Sequence, residues 1–328
     1  MKEKRTLLLC GTAVILVLGT GACASADVGA GRTESEAPAK TEESFTDIDD
    51  DRVSLNSGPR ESQVRVPEAS GTITYGNDLA VVDASNTGNG YVMIKYTGSV
   101  NKIKVQISKG DLTYTYDLNA RDAYEVFPLS EGDGTYSVKV FENVSGKQYS
   151  QAFSQEVEVS LDDQFEPFLY PNQYVNFTRE SDAVQRAAEL AAGIEDDLGV
   201  VDAIYNYVID HLTYDTEKAE NVQSGYLPDV DQVLASGKGI CFDYAALMVS
   251  MLRSQDIPAK LVVGYTGSVY HAWVNVYIDG VGWIDNYIYF DGTNWSLADP
   301  TFASTGGKSD SIKQYIGDGA NYQQKYCY

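Results

Sequence analysis

The sequence predicts two folded parts, an all-β sandwich followed by an α+β domain. Short segments of alternating polarity fill residues 70–161, and a longer, helical period begins near residue 165. Strand-like segments return from residue 260 onwards. The length of 328 residues also suits two domains better than one.

The composition indicates a folded and strongly acidic protein. Hydrophobic residues make up 43% of the chain and charged residues 22%, so it can bury real cores. The formal net charge is −23, with 47 acidic residues against 24 basic ones. Because such a surface repels phosphate backbones, we expect no nucleic-acid partner.

The first segment has the pattern of an export signal. A basic start, MKEKR, precedes the apolar stretch TLLLCGTAVILVLGTGA, and Cys23 follows within LGTGACAS. The pattern resembles the bacterial lipoprotein signal, although Thr20 stands where that signal usually has an aliphatic residue. The resemblance implies a signal peptide over residues 1–22, lipidation of Cys23 and a membrane anchor on the outer face of the cytoplasmic membrane. A plain secretory signal cleaved near Ala22 or Ala24 is the alternative.

Residues 23–66 are predicted to be a flexible acidic linker. Ala, Ser, Thr, Glu and Pro dominate this stretch, and no hydrophobic period appears. The acidic run DIDDD at 47–51 lacks the ligand spacing and glycine of a calcium loop, so we interpret it as solvated charge.

Residues 67–162 are predicted to form an immunoglobulin-like β-sandwich. Period-two alternation interrupted by turn signals such as GNG and EGDG is typical of short antiparallel strands. The predicted strands are YVMIKY (91–96), KIKVQI (102–107), LTYTYDL (112–118), TYSVKVF (135–141) and EVEVSL (156–161). Several tyrosines on these strands predict either ordinary strand packing or a glycan-binding face. They are Tyr91, Tyr96, Tyr114, Tyr116 and Tyr136.

Residues 163–328 are predicted to form the α+β domain. Ser181 can cap a helix through AVQRAAELAA that Gly193 stops, and a second helix places hydrophobic residues at four-residue spacing (Val200, Ile204 and Val208). Asp229 can cap a short helix, VDQVLA, before the GKGI loop. A further helix and strands over 260–265, 270–278, 282–290 and 294–302 follow.

Cys241 opens the helix in GKGICFDYAALMVSMLRS, which is apolar except for a stripe of Asp243, Ser250 and Ser254. A helix apolar on most sides is buried on most sides. The first turn of a helix favours an anion, so this position is expected to lower the pKa of the thiol towards the nucleophilic thiolate. Once Cys10 leaves with the signal and Cys23 is lipidated, Cys241 and Cys327 are the two cysteines left. Cys327 is expected to lie on a loose tail. The structural alternative is a disulfide between these two cysteines.

A thiolate nucleophile needs a base that a third group holds in place. Of the two histidines, His211 has no context that indicates chemistry, whereas His271 lies on a strand face with Trp273 and Asn275. Asp299, in LADPTF, could hold the imidazole in the tautomer that accepts the thiol proton. For the three tryptophans (Trp273, Trp283 and Trp295), packing in the core is favoured over lining a substrate groove.

The motifs of residues 180–303 resemble the transglutaminase-like family, a branch of the papain-like thiol fold. They are G-I-C followed by A-A-L-M-V-S-M-L-R, then I-P-A-K-L-V-V-G-Y, H-A-W-V-N-V and W-S-L-A-D-P-T. The resemblance implies that Cys241 is the nucleophile, His271 the general base and acid, and Asp299 the orienting carboxylate. Asp256 replaces the glycine common before I-P-A, and the long segment GVGWIDNYIYFDGTNW suggests an extra hairpin beside the site.

The resemblance implies a thioester mechanism on amide bonds of a protein or peptide, by hydrolysis or by acyl transfer. The expected oxyanion donors are the Cys241 N–H and Tyr214, with Trp273 as a supporting residue near the site. No metal and no cofactor are expected, since two histidines with scattered carboxylates make no zinc pattern. We expect a monomer. The alternatives are an unused scaffold that serves as a surface binding module, and a tethered structural protein with a Cys241–Cys327 bridge.

Overall fold

The computed structural model describes residues 60–266, 269–290, 295–297 and 322–328. The predicted signal peptide, Cys23 and most of the linker therefore lie outside the described residues, as does Asp299. Within the described ranges, no helix is both long and apolar enough to cross a membrane.

Two four-stranded antiparallel sheets make up the N-terminal part. Their strands are β1 (Thr74–Gly76), β2 (Ala80–Asp83), β3 (Tyr91–Tyr96), β4 (Ile103–Lys109), β5 (Leu112–Leu118), β6 (Glu125–Pro128), β7 (Gly134–Ser145) and β8 (Gln148–Val159). One sheet has the order β1-β2-β3-β6 and the other β5-β4-β7-β8, so β5 and β8 are the edge strands of the second sheet. A short 3-10 turn, Thr87–Asn89, precedes β3.

The buried faces of both sheets share one hydrophobic core. The ring of Tyr116 from β5 meets that of Phe127 from β6 at 5.2 Å between centroids, which joins the two sheets. All five tyrosines singled out in the sequence are at most 4% exposed. The glycan-binding alternative is therefore wrong for this set, and ordinary strand packing explains these residues.

The sequence pattern located five of the eight strands and missed β1, β2 and β6, which are only three or four residues long. Strand β8 begins at Gln148, well before the predicted 156, because its first half contains no buried residue and lacks an apolar alternation.

Five helices and a pair of two-residue strands follow. They are α1 (Asp182–Leu190), α2 (Asp197–His211), β9 (Thr213–Tyr214), α3 (Thr216–Asn221), α4 (Val230–Ser236), β10 (Lys238–Gly239) and α5 (Cys241–Arg253), after a 3-10 turn at Glu166–Phe168. Asp229 caps α4 as predicted, since its carboxylate accepts the Gln232 N–H at 3.0 Å. Ser181 stands at the N-cap of α1, but a carboxylate from α4, that of Asp231, accepts the Ala183 N–H instead.

A five-stranded sheet completes the fold. Its strands are β11 (Ala259–Thr266), β12 (Val269–Ile278), β13 (Gly282–Phe290), β14 (Trp295–Leu297) and β15 (Tyr322–Cys327), in the order β14-β13-β12-β11-β15. Helix α5 packs on β11 and β12 with one side and on α1, α2 and α4 with the others. That position explains why its sequence is apolar nearly all round.

Strand β15 corrects the expectation that Cys327 lies on a loose tail. Val262 in β11 is opposite Cys327, and the backbone of Tyr328 exchanges hydrogen bonds with Leu261. Cys327 is only 4% exposed. A strand that pairs from a distant part of the chain is not visible in local periodicity.

The substitution of Asp256 for the expected glycine is accommodated locally. Its φ is +61°, in the left-handed region that glycine adopts most easily, although aspartate tolerates it better than most residues. Its carboxylate also accepts a hydrogen bond from Arg65 at 2.8 Å, which ties the residue to the segment before β1.

Candidate active site

Cys241 and His271 border the same cleft, which has a volume of about 240 Å³. Helix α5 supplies the cysteine at its first residue, and β12 supplies the histidine. The neighbouring lining is aromatic and comes from Tyr174, Tyr214, Tyr226, Phe242, Tyr270 and Tyr328. Two residues 30 positions apart in sequence are thus brought to one concave site.

The glycine-rich turn before Cys241 is fixed by a parallel strand pair. Strand β10 pairs with β9 so that Gly239 lies opposite Tyr214, and the Asp215 N–H donates to the Gly239 carbonyl at 2.9 Å. Gly237 ends α4 with a φ of +61°. A side chain at Gly239 would place its Cβ 2.6 Å from the Cβ of Asp243, so only glycine fits here.

Asp243 is a charged residue buried beneath the first turn of α5. Its side chain is fully buried, and its carboxylate accepts the N–H of Ile240 at 2.8 Å. The same carboxylate accepts the ammonium of Lys218 at 2.7 Å and the hydroxyl of Tyr226 at 2.5 Å. Asp243 therefore joins three segments directly behind the nucleophile position: the turn, helix α3 and the loop after it.

The electrostatics of the two reactive side chains differ from the sequence expectation. Burial raises the pKa of Cys241 to about 11, against the lowering effect of the N–H groups of Ala272, Phe242 and Cys241 itself, and the charge of Asp243 raises it further. Burial lowers the pKa of His271 to about 4. The expected lowering of the thiol pKa by the helix N-terminus is thus outweighed by desolvation. Both shifts favour the uncharged forms, a thiol on Cys241 and an imidazole on His271.

Tyr214 lies beside Cys241, as expected of a candidate oxyanion donor. It borders the cleft, and burial followed by the proximity of Cys241 raises its pKa to about 12. A hydroxyl with that pKa is protonated at neutral pH and can donate a hydrogen bond.

Trp273, the expected supporting residue near the site, does not border the cleft. It is 2% exposed and packs in an apolar cluster with Phe168, Val262 and Cys327, which does not border the cleft. Alternation places the side chains of Trp273 and His271 on the same face of β12. The two residues nevertheless lie in different surroundings, because His271 borders the cleft and Trp273 packs in the apolar cluster. The expectation that tryptophan packs the core holds for this residue.

Neither the second cysteine nor the second histidine belongs to the cleft. Both Cys241 and Cys327 are free thiols, and Cys327 lies near the Tyr114 hydroxyl at 3.7 Å. The structure therefore contradicts the Cys241–Cys327 bridge. His211 is exposed at the end of α2, where its Nε2 lies 2.6 Å from the Leu234 carbonyl oxygen.

Sequence reasoning missed Lys218 and Tyr226. It also missed the cleft residues of the N-terminal sheets, which are Lys104, Thr115, Asp117 and Asn119. No local pattern marks these positions, because their partners come from other parts of the chain. Within the described ranges, no three His, Cys, Asp or Glu side chains converge as metal ligands do.

A known family model matches the part of the chain that carries Cys241 and His271. Residues 184–300 match the family model described as the Transglutaminase-like superfamily. The uncharacterized protein YebA of Bacillus subtilis (strain 168) is 36% identical over 92 residues. That alignment covers 22% of this chain and only 12% of YebA.

Solved structures resemble the chain at low identity. A protein from Cytophaga hutchinsonii described as a candidate cysteine protease matches with 14% identity and a TM-score of 0.35, over 78% of this chain and 74% of that one. Red sea bream transglutaminase matches with 15% identity and a TM-score of 0.26, over 69% and 53% of the two chains.

Proposed function

We propose that this protein is a thiol enzyme that acts on amide bonds of proteins or peptides through a thioester intermediate. The observation that carries the proposal is the shared cleft of Cys241 and His271, within the stretch that matches the transglutaminase-like family model. In this proposal Cys241 is the nucleophile, His271 the general base and acid, and Asp299 the carboxylate that orients the imidazole.

The pKa shifts of the pair favour a first step that starts from an uncharged thiol and an uncharged imidazole. As the Cys241 sulfur attacks the amide carbonyl carbon, neutral His271 removes the thiol proton, so no thiolate has to exist beforehand. The carbonyl oxygen becomes an oxyanion, which the Cys241 N–H and the Tyr214 hydroxyl stabilise. His271 then gives the proton to the leaving amine, and the C–N bond breaks to leave a thioester on Cys241.

The thioester reacts next with water or with a second amine. Water returns the free thiol and a carboxylic acid, whereas an amine forms a new amide bond. The aromatic lining of the cleft excludes part of the water, which favours transfer if an amine can enter. The acidic surface attracts cationic amines to the protein, a weak influence in the same direction.

The first test measures the products of both routes together. The protein without its signal peptide is incubated with a glutamine-containing peptide and a labelled primary amine, and the peptide mass is followed. Incorporated amine indicates a transferase, and a deamidated or cleaved peptide indicates a hydrolase. Cys241→Ala is expected to abolish either product, whereas Cys327→Ala, a second free cysteine outside the cleft, is expected to retain it.

A thiol-directed acyl probe separates the enzyme from an unused scaffold. Labelling confined to Cys241 and lost in His271→Ala supports the proposal, and His211→Ala is the matched histidine control because His211 is exposed and outside the cleft. Absence of labelling at Cys241 under conditions that label free cysteine would favour a surface binding module.

We also propose that the two N-terminal sheets, within residues 67–162, form an immunoglobulin-like sandwich. Support comes from the order β5-β4-β7-β8, which corresponds to strands C′-C-F-G of such domains when β2, β3 and β6 are taken as A, B and E. A matching strand order in an experimental structure would test the assignment.

Export and lipid anchoring at Cys23 remain proposals supported by the N-terminal sequence. Incorporation of a labelled fatty acid into the intact protein, but not into Cys23→Ala, is the expected result. An unlabelled protein released into the medium would indicate the secreted alternative.

A further inference from the structure

One wall of the catalytic cleft belongs to the N-terminal sheets. Lys104 on β4, Thr115 and Asp117 on β5, and Asn119 directly after β5 border the cleft that contains Cys241. These residues precede the cysteine by more than a hundred positions. The site is therefore incomplete without the N-terminal part of the chain.

Buried hydrogen bonds fix this wall to the catalytic part. The Ser130 hydroxyl donates to the Cys327 carbonyl at 2.9 Å, and the Cys327 N–H donates to the Tyr114 hydroxyl at 3.3 Å. The Gln173 amide donates to the Asp117 carbonyl at 3.1 Å. Because these groups lie in or beside the buried core, the wall holds a fixed place relative to Cys241.

The wall carries polar groups, in contrast to the aromatic end of the cleft at the cysteine. Lys104 and Asp117 form an ion pair at 2.6 Å, so their charges offset each other, and Thr115 and Asn119 add a hydroxyl and an amide. These are donors and acceptors of the kind that bind peptide N–H and C=O groups.

The opposite side of the cleft comes close to Asp117 at Gly225. A Cβ built on Gly225 would lie 3.5 Å from the second carboxylate oxygen of Asp117, and its φ is +87°. The cleft thus narrows between the wall and the loop after α3. At about 240 Å³ it is smaller than the roughly 300–1,000 Å³ of small-molecule sites. A side chain and its adjoining main chain fit this space better than a bulky ligand.

We infer that the β4–β5 wall binds the main chain of a peptide substrate next to its reacting residue, so that the N-terminal sheets are part of the substrate site. The inference rests on the proposed function, since it needs Cys241 to react in this cleft. It predicts that residues beside the reacting one increase the rate through contacts with Thr115, Asp117 and Asn119.

The test uses two electrophiles that do not require turnover. One carries a thiol-reactive group alone, and the other carries the same group with two alanines on each side, so that the two differ only in peptide main chain and four methyl groups. The full chain without its signal peptide is alkylated by each, and the rate of Cys241 modification is measured by mass spectrometry. We expect the flanked electrophile to react about tenfold faster, the effect of one or two main-chain hydrogen bonds.

Variants of the wall should remove that advantage. Asp117→Ala removes the acceptor at the narrow end, and Thr115→Trp fills an exposed position on the wall. In both, the rate with the small electrophile should equal the wild-type rate, while the flanked electrophile loses its advantage. Glu158→Ala is the matched control. Glu158 is an exposed carboxylate on β8, the edge strand opposite β5 in the same sheet, and it accepts a hydrogen bond from the threonine Thr135 on β7.

Each result decides a separate point. If the flanking alanines give no advantage in the wild type, or if the advantage survives in both wall variants, the inference is overturned. A loss of rate with both electrophiles in a wall variant indicates a structural role and also overturns it. If the small electrophile does not modify Cys241 in the wild type, the proposed function itself fails.

Discussion

The buried ion pair behind the nucleophile offers the sharpest test of how the site is held. In Lys218→Met the ammonium that binds Asp243 is replaced by an apolar side chain of similar length. The carboxylate stays fully buried, with only the Tyr226 hydroxyl and the Ile240 N–H as donors. A buried carboxylate without its cation has lost its main compensation for desolvation.

The magnitude follows from the burial of the two partners. The Asp243 side chain is 0% exposed and that of Lys218 28%. Breaking such a pair by removing one partner costs roughly 3–5 kcal/mol, and the two remaining donors place this case near the lower end, at about 3 kcal/mol.

Urea-induced unfolding of the wild type and of Lys218→Met measures the difference in the free energy of unfolding. Arg186→Met is the matched control, because Arg186 pairs with Glu189 at a similar distance of 2.6 Å with side chains 45% and 58% exposed. We expect about 0–0.5 kcal/mol for this surface pair. If both variants lose the same small amount, the reasoning about Asp243 is refuted. The alkylation rate of Cys241 should also change in Lys218→Met alone, since the pair holds the turn before Cys241.

Three further predictions concern the site and its surroundings. Iodoacetamide alkylates the free thiolate and, unlike an amide substrate, does not need His271 to pass a proton to a leaving group. Because the pKa of Cys241 is raised to about 11, this alkylation should accelerate about tenfold per pH unit between pH 6 and 9. A plateau in this range would show that His271 accepts the thiol proton in this reaction too, and would contradict the prediction. Gly239→Ala should lower the free energy of unfolding in urea by about 1–3 kcal/mol, since the added Cβ would press on Asp243. A loss below about 0.5 kcal/mol, the level of a neutral surface change, would contradict this. Arg253→Met should lower the free energy of unfolding by at least about 3 kcal/mol in the same assay, because the buried guanidinium donates four hydrogen bonds to three backbone carbonyls. Arg253→Lys should not restore the wild-type stability, because an ammonium lacks that planar set of donors.

The sequence predicted the helices and strands whose side chains follow a clear period. Helix α5 begins at Cys241 as expected, and β13 spans 282–290 as expected. A buried helix and a regular strand both show a clear period of hydrophobic residues in the local sequence. The three short strands of the first sheet and strand β15 were missed, since their pairing depends on partners distant in sequence. The same reason hid the roles of Lys218 and Tyr226.

Sequence motifs alone were sufficient to select Cys241 and His271 as candidates, because chemistry restricts which residue types can act as nucleophile and base. Only the tertiary structure decided that both border one cleft, that Cys327 is a free thiol in a paired strand, and that Trp273 packs away from the site. It also decided the direction in which the pKa values of the pair shift. Local sequence predicts the dipole of a helix end, whereas desolvation depends on every segment that packs around the side chain, and here burial outweighs the helix end.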